Sequence, residues 1–184
     1  MLYDLAWEYR KSNPDSTLYY CREIIEILRV DTNNSCLAKC YNFMGLAYHY
    51  KGDDVQAFEF YNRAIDSSMD SGDSLQYAHS LNNLGRMFLN QGDFVKSYDH
   101  AQRALQTFRD IEDTEGMSYA FKSLGEIYQT QLKYDRALVV LKHALRIRNQ
   151  SENISGQIST LNEIALIFRN MNMPDSALYY YQQA

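Results

Sequence analysis

Proline is nearly missing from this chain, with two residues in 184, Pro14 and Pro174. Glycine is sparse as well, at eight. No Pro- or Ser-rich stretch divides the chain, so the sequence reads as one continuous domain, residues 1–184. Cysteine is limited to Cys21, Cys36 and Cys40. An odd number without framework spacing argues against a disulfide scaffold and for a reducing compartment. Cys36 and Cys40 lie one helical turn apart, but a metal needs further ligands, and His49 stands more than two turns away on the same stretch. They read as packed thiols.

Basic charge is also short. Lys and Arg number 18 against 23 Asp and Glu, a formal net charge of -5. Pairs such as Lys133 with Arg136, or Arg146 with Arg148, are scattered, and no basic run exists to neutralise a phosphate backbone, so nucleic acid is not an expected partner. No apolar run approaches the roughly 18 residues that a bilayer span requires. No basic, apolar and small-residue leader opens the chain. The expected location is cytoplasmic, or periplasmic had a leader been removed. HExxH, a Gly-rich phosphate loop and Gly-x-Ser-x-Gly are all missing, and His49, His79, His100 and His143 fall in different segments without metal-type pairing. Neither an enzyme nor a cofactor is expected.

What the chain does contain is a period. Gly45, Gly85, Gly125 and Ala165 recur every forty residues. Tyr48, Phe88, Tyr128 and Phe168 keep the same register, as do Ala57, Ser97, Ala137 and Ala177, and then Ala64, Ala104, Ala144 and Ala184. The two prolines open matching phrases, Pro14-Asp15-Ser16-Thr17-Leu18-Tyr19-Tyr20 and Pro174-Asp175-Ser176-Ala177-Leu178-Tyr179-Tyr180. Ala6 precedes Ala165 by 159 residues, so the turn inside the first unit is one residue shorter. A period of this length marks stacked supersecondary units. The repeats run approximately 1–33, 34–73, 74–113, 114–153 and 154–184, the last incomplete.

Each unit reads as two helices. Tyr41, Met44, Gly45 and Tyr48 share one helical face, Lys51-Gly52-Asp53-Asp54 breaks the pattern, and Ala57, Tyr61, Ala64 and Ile65 line a second helix. Glycine supplies the turn and aspartate caps the next helix. The predicted helices span 1–11, 14–29, 35–50, 54–70, 74–90, 94–110, 116–130, 134–149, 156–170 and 174–184. The mid-helix glycines are expected to let neighbouring helices approach, with the following aromatic filling the gap and the recurring alanines receiving the contact. The architecture expected is all-α, a right-handed superhelical solenoid of antiparallel helix pairs. The final helix stops short of its repeat, and Tyr179 to Tyr181 take the place of a polar cap, so a longer polypeptide or self-association through this open terminal helix is expected.

These positions resemble the tetratricopeptide repeat family over essentially the whole chain. The repeat here exceeds the usual length of about 34 residues, and Met69, Arg109 and Asn149 stand where that family often has a helix-ending proline. The longer form is similar to the extended repeats of kinesin light chains and of bacterial regulators that bind peptides. The phrase Pro-Asp-Ser-Ala-Leu-Tyr-Tyr-Tyr also resembles repeat regions of bacterial sensor kinases and transcription regulators. The resemblance implies a protein–protein interaction scaffold that binds a peptide or protein segment in a concave groove. The alternative is a sensory or regulatory segment of a larger bacterial signalling protein.

The candidate peptide contacts lie on the first helix of each unit. Asn42, Asn82 and Asn162 share one register, with Lys122 in the fourth unit, and Asn83 adjoins. A carboxamide donates and accepts, so such a row can pair with an extended main chain, with Lys39, His79, Arg86, Lys122 and Glu126 selecting side chains; the alternative is that these amides are solvated or bridge adjacent repeats. Leu81-Asn82-Asn83-Leu84-Gly85 resembles the phrase by which extended repeats hold peptide backbone. A charged clamp for a terminal carboxylate is disfavoured, because Ser123 and Glu163 stand where basic residues would be needed. Among sixteen tyrosines, Tyr41, Tyr48, Tyr61 and Tyr128 occupy packing positions. His49, Tyr50 and Tyr119 lie nearer the inner face and are the better contact candidates.

Overall fold

A computed structural model describes residues 2–28 and 35–184. Among them the regular structure is helical, with no strand. The helices are α1 (Leu2–Ser12), α2 (Pro14–Leu28), α3 (Ser35–Tyr50), α4 (Asp54–Ser71), α5 (Ser74–Asn90), α6 (Phe94–Asp110), α7 (Thr114–Thr130), α8 (Tyr134–Gln150), α9 (Ile154–Asn170) and α10 (Pro174–Gln183). Turns of one to three residues connect most of them, which forces successive helices to run antiparallel. The contacts divide the chain into two compact units, Met1–Met87 and Phe88–Ala184.

In the first unit the core gathers Ala6, Leu18, Cys21, Ile24, Cys40, Phe43, Met44, Ala47 and Phe60. Tyr48 lies flat on Phe60, ring centroids 5.3 Å apart. In the second unit Ala137, Leu138, Leu141, Ile164 and Ile167 form a core, flanked by Tyr128, Phe168 and Tyr180. Phe168 stacks on Tyr180 at 5.3 Å in the same way. Tyr48, Tyr128 and Phe168 are aromatic register positions of the sequence, packed against these cores.

The turns repeat every twenty residues. Gly52, Gly72 and Gly92 take φ of 78°, 70° and 79°. Glu112, Leu132, Glu152 and Asn172 take the same left-handed conformation at 56°, 59°, 54° and 58°. Around each, the next amide reaches back five residues, as in Asp53 N–H to Tyr48 C=O at 3.0 Å and Lys133 N–H to Tyr128 C=O at 2.8 Å. This closes the free carbonyls of the helix end in a Schellman arrangement. Aspartate then caps as expected: Asp53, Asp73 and Asp93 accept from the backbone of Gln56, Gln76 and Lys96. The shorter first turn leaves Asn13 alone between α1 and α2, where its side chain accepts from Ser16 N–H.

Two helices begin earlier than the sequence suggests, α7 at Thr114 and α9 at Ile154 rather than at 116 and 156. Gly116 and Gly156 are therefore inside the first turn. A Cβ on Gly116 would stand 2.1 Å from Phe108, and one on Gly156 2.8 Å from Arg148. Their role is close packing, and glutamates bear the left-handed turn instead. The mid-helix glycines also differ from expectation. Gly45 faces the ring of Tyr61, and Gly125 faces Leu141, with Cβ positions 2.6 and 2.7 Å away. A large side chain, not an alanine, is seated over each.

Candidate functional site

In the first unit α3 and α5 carry the predicted contacts. Asn42 is buried, and its carboxamide is engaged inside the protein. It donates to the Gln76 carbonyl at 3.2 Å and to Gln76 Oε1 at 3.1 Å, and accepts from Ser80 Oγ at 3.0 Å. That clips α3 to α5. Asn82 is 7% exposed, yet its Oδ1 is buried without a hydrogen-bond partner. Asn83, His79 and Arg86 are half-buried on the same helix. Lys39 is exposed, its ammonium above the rings of Tyr3 and Phe43 at 5.2 and 5.8 Å.

In the second unit Lys122 on α7 sits between two carboxylates. It reaches Glu126 at 2.9 Å and Glu163 on α9 at 2.6 Å. Burial pulls the Lys122 ammonium down, but Glu126 and Glu163 outweigh it and hold its pKa above the usual value. Burial pushes the Glu163 carboxyl up against the opposing pull of Lys122, and Glu163 Oε2 is buried with no hydrogen-bond partner. Asn162, next to Glu163, is exposed. Lys122 and Glu126, both candidate selectors, are thus brought together in an ion pair. The three asparagines of one register are placed differently: two are buried and one is on the surface.

Two groupings escaped the sequence reading. One is Arg148, a buried guanidinium on α8 that donates to Ser118 Oγ at 3.3 Å, to the Gly156 carbonyl at 2.9 Å and to Thr160 Oγ1. Tyr119 lies over it at 5.6 Å and bonds Glu115 at 3.2 Å. The signal was present, since Arg148 stands forty residues after Phe108 and Gly156 forty after Gly116. The other is the joint burial of Cys21 and Cys40 in one core cluster, for which sequence distance offers no cue. His49 pairs with Asp54 at 3.2 Å, and His143 stacks on Phe121 at 5.3 Å. Among the described residues no group of His, Cys, Asp and Glu is arranged for a metal. No helix there is long and apolar enough to cross a membrane.

The tetratricopeptide repeat profile matches residues 76–150 and, in a second form, residues 38–68. Together these segments cover more than half of the chain. No curated protein matches it in sequence. Among solved structures it is similar to BtubC (BKLC) from P. vanneervenii, with TM-score 0.76, 21% identity, 97% of this chain and 75% of that one covered. It is similar to the kinesin light chain TPR-like repeats of Podosopora anserina, with TM-score 0.67, 13% identity, and coverage of 99% and 90%. It also matches aspartyl phosphate phosphatase F from Bacillus subtilis, with TM-score 0.80, 14% identity, 99% of this chain and 49% of that one. At such identities the likeness is one of fold. The helix pairs of these units are a protein–protein interaction scaffold, a fold generally without catalytic activity of its own. By its forty-residue register and by the profiles that recognise it, this chain belongs to the tetratricopeptide repeat family.

Proposed function

We propose that each unit of the protein offers the first helices of its repeats to an extended peptide or protein segment, α3 and α5 in the first unit and, by themselves, α7 and α9 in the second. The observation that carries this reading is Asn82. A buried acceptor without a donor is costly, by about 1–3 kcal/mol, and calls for a reason. A main-chain N–H of a bound segment supplies the missing donor after a change of side-chain rotamer, the commonest adjustment on binding. Asn83 beside it and the exposed Asn162 offer further amide pairing. Lys39, His79, Arg86, Lys122 and Glu126 add selectivity of mixed sign. Asn42 serves differently, by fixing α5 against α3.

The test is capture from a lysate of the source cell on the wild-type chain, with Asn83→Ala and Asn82→Ala as controls. Asn83→Ala alters a half-exposed side chain and should move stability by no more than about 0.5 kcal/mol. A partner that binds wild type and is lost by both folded variants is the expected result. A partner retained equally by both variants overturns the amide mechanism.

A second reading is a sensory or regulatory segment within a longer signalling protein. It is favoured by the chain spanning only 49% of aspartyl phosphate phosphatase F and 26% of a signal-transduction ATPase with a tetratricopeptide repeat sensor. The complete coding sequence decides it: a kinase, ATPase or DNA-binding region in the same reading frame supports this reading, and none removes it.

A further inference from the structure

Trp7 is the single tryptophan of the chain, and it is 46% exposed on α1. It stands one residue after Ala6, as Leu46 follows Gly45 on α3 and Arg86 follows Gly85 on α5. One turn earlier on the three helices come Tyr3, Asn42 and Asn82. These positions form one strip across the first helices of the first unit. The Trp7 ring packs on the buried Phe43 of α3, centroids 5.5 Å apart. The Arg10 guanidinium lies on the Trp7 face at 3.4 Å. The Lys39 ammonium stands over Tyr3 at 5.2 Å and over Phe43 at 5.8 Å. Rings from α1 and α3 thus carry two cations at the start of the strip. The charge of the next two helices has one sign. The chain as a whole is acidic, yet α3 and α5 hold Lys39, His49, His79 and Arg86 and not one Asp or Glu. Nearby carboxylates come from α1, at Asp4 and Glu8, and from α4, where Asp54 pairs with His49 at 3.2 Å. The buried Asn82 Oδ1, which lacks a donor, lies in the same strip and calls for an N–H.

We infer that the first unit takes an extended acidic segment, with an apolar side chain seated on Trp7 and side-chain carboxylates at Arg10 and Lys39. The inference rests on the reading of α3 and α5 given above, adds α1 to that surface and names the chemistry of the partner. A guanidinium stacked on a ring keeps its N–H edge in its own plane, which suits a carboxylate. Exposed Trp with Arg beside it is the composition that dominates protein contacts. The rings supply apolar area for affinity, while the single sign of charge steers an acidic segment in and rejects a basic one. Recognition uses side-chain carboxylates and main-chain N–H groups, so the segment is internal and needs no free chain terminus.

The test titrates three blocked octapeptides into the chain and reads the fluorescence of Trp7. One peptide is two Gly-Glu-Leu-Glu units, and the others have Lys or Gln in place of Glu. The acidic peptide should shift the Trp7 emission to saturation, bind about tenfold more tightly than the Gln peptide and weaken as salt is added. The Lys peptide should bind least. Lys39→Gln and Arg10→Gln, checked for helix content by circular dichroism, should each weaken the acidic peptide by about two- to fivefold. If Arg10→Gln fails to fold, the exposed Lys39→Gln decides. Equal binding of the Gln and acidic peptides, or preference for the Lys peptide, overturns the inference and leaves an extended segment as the ligand. Acidic binding that survives Asn82→Ala and Asn83→Ala removes the amide mechanism and leaves the inference standing. Affinity unchanged in the folded Lys39 and Arg10 variants, or no saturable change with any peptide, overturns it.

Discussion

Leu132 shows most plainly what a single residue costs this fold. Its φ of 59° is the conformation that glycine takes at the equivalent turns, and its side chain is 71% exposed. A residue with a Cβ is strained there by roughly 1–2 kcal/mol, and burial recovers little. Leu132→Gly should therefore stabilise the second unit by about 1 kcal/mol, read as a higher denaturant midpoint at unchanged slope. An unchanged or lower midpoint contradicts the strain. Glu112 and Glu152 sit in the same conformation, so the turn is imposed on these residues by the helices on either side. Sequence alone revealed the turn where glycine marked it, as at Gly52. It misled where glycine was needed for something else, at Gly116 and Gly156.

Between elements, those two glycines belong to a rule of size. A large residue near the end of one helix, Phe108 or Arg148, faces a glycine eight positions later, in the first turn of the next. Where the end residue is small, as at Ser68, position 76 is a full-sized glutamine whose side chain reaches Asn42. Gly116→Ala drives a methyl into the Phe108 ring, which is itself fully buried. The expected cost is about 1–3 kcal/mol. Adding Phe108→Ala makes room, so the double variant should be less destabilised than the sum of the singles, a coupling of about 0.5–3 kcal/mol in chemical denaturation. Strict additivity would mean that the two residues do not share this space. Helix existence and length were legible in the chain because three-residue turn phrases and a strict register gave them away. The packing across each turn was equally encoded, but as a correlation between two positions, which a search for repeated identities passes over.

For the molecule as a whole, the groups that burial and neighbours shift most are weak acids of high pKa. Burial raises the Tyr61 hydroxyl, and Tyr3 is raised by burial and by its cysteine neighbours. Lys122 is raised by its two carboxylates against burial. Each has a folded-state pKa above its unfolded one. Their contribution is complete below about pH 10 and is lost as pH rises through the folded values. Acid acts less uniformly. Asp93, lowered by its cap bonds to Lys96, loses its contribution as pH falls, while Glu163, raised by burial, gains. Melting temperature should accordingly fall more steeply between pH 9 and 11 than between pH 5 and 4, and Tyr61→Phe should flatten the alkaline limb. A symmetric profile, or no effect of Tyr61→Phe, would remove Tyr61 from this account. The candidate binding residues were less legible than the fold. One register holds Asn42, Asn82 and Asn162, yet neighbouring side chains such as Gln76 and Ser80 decide whether the amide is engaged or offered, and the register does not carry that information.

The pairing of Phe108 with Gly116, and of Arg148 with Gly156, also bears on recombination. Both pairs straddle the turns at which one repeat ends and the next begins. A repeat excised at its turns and spliced into another array arrives with half of each pair, and a ring or guanidinium then meets a side chain instead of a void. The interchangeable module of this protein is shifted out of phase with its visible repeat, with its seams inside helices, past the glycine that completes each pair.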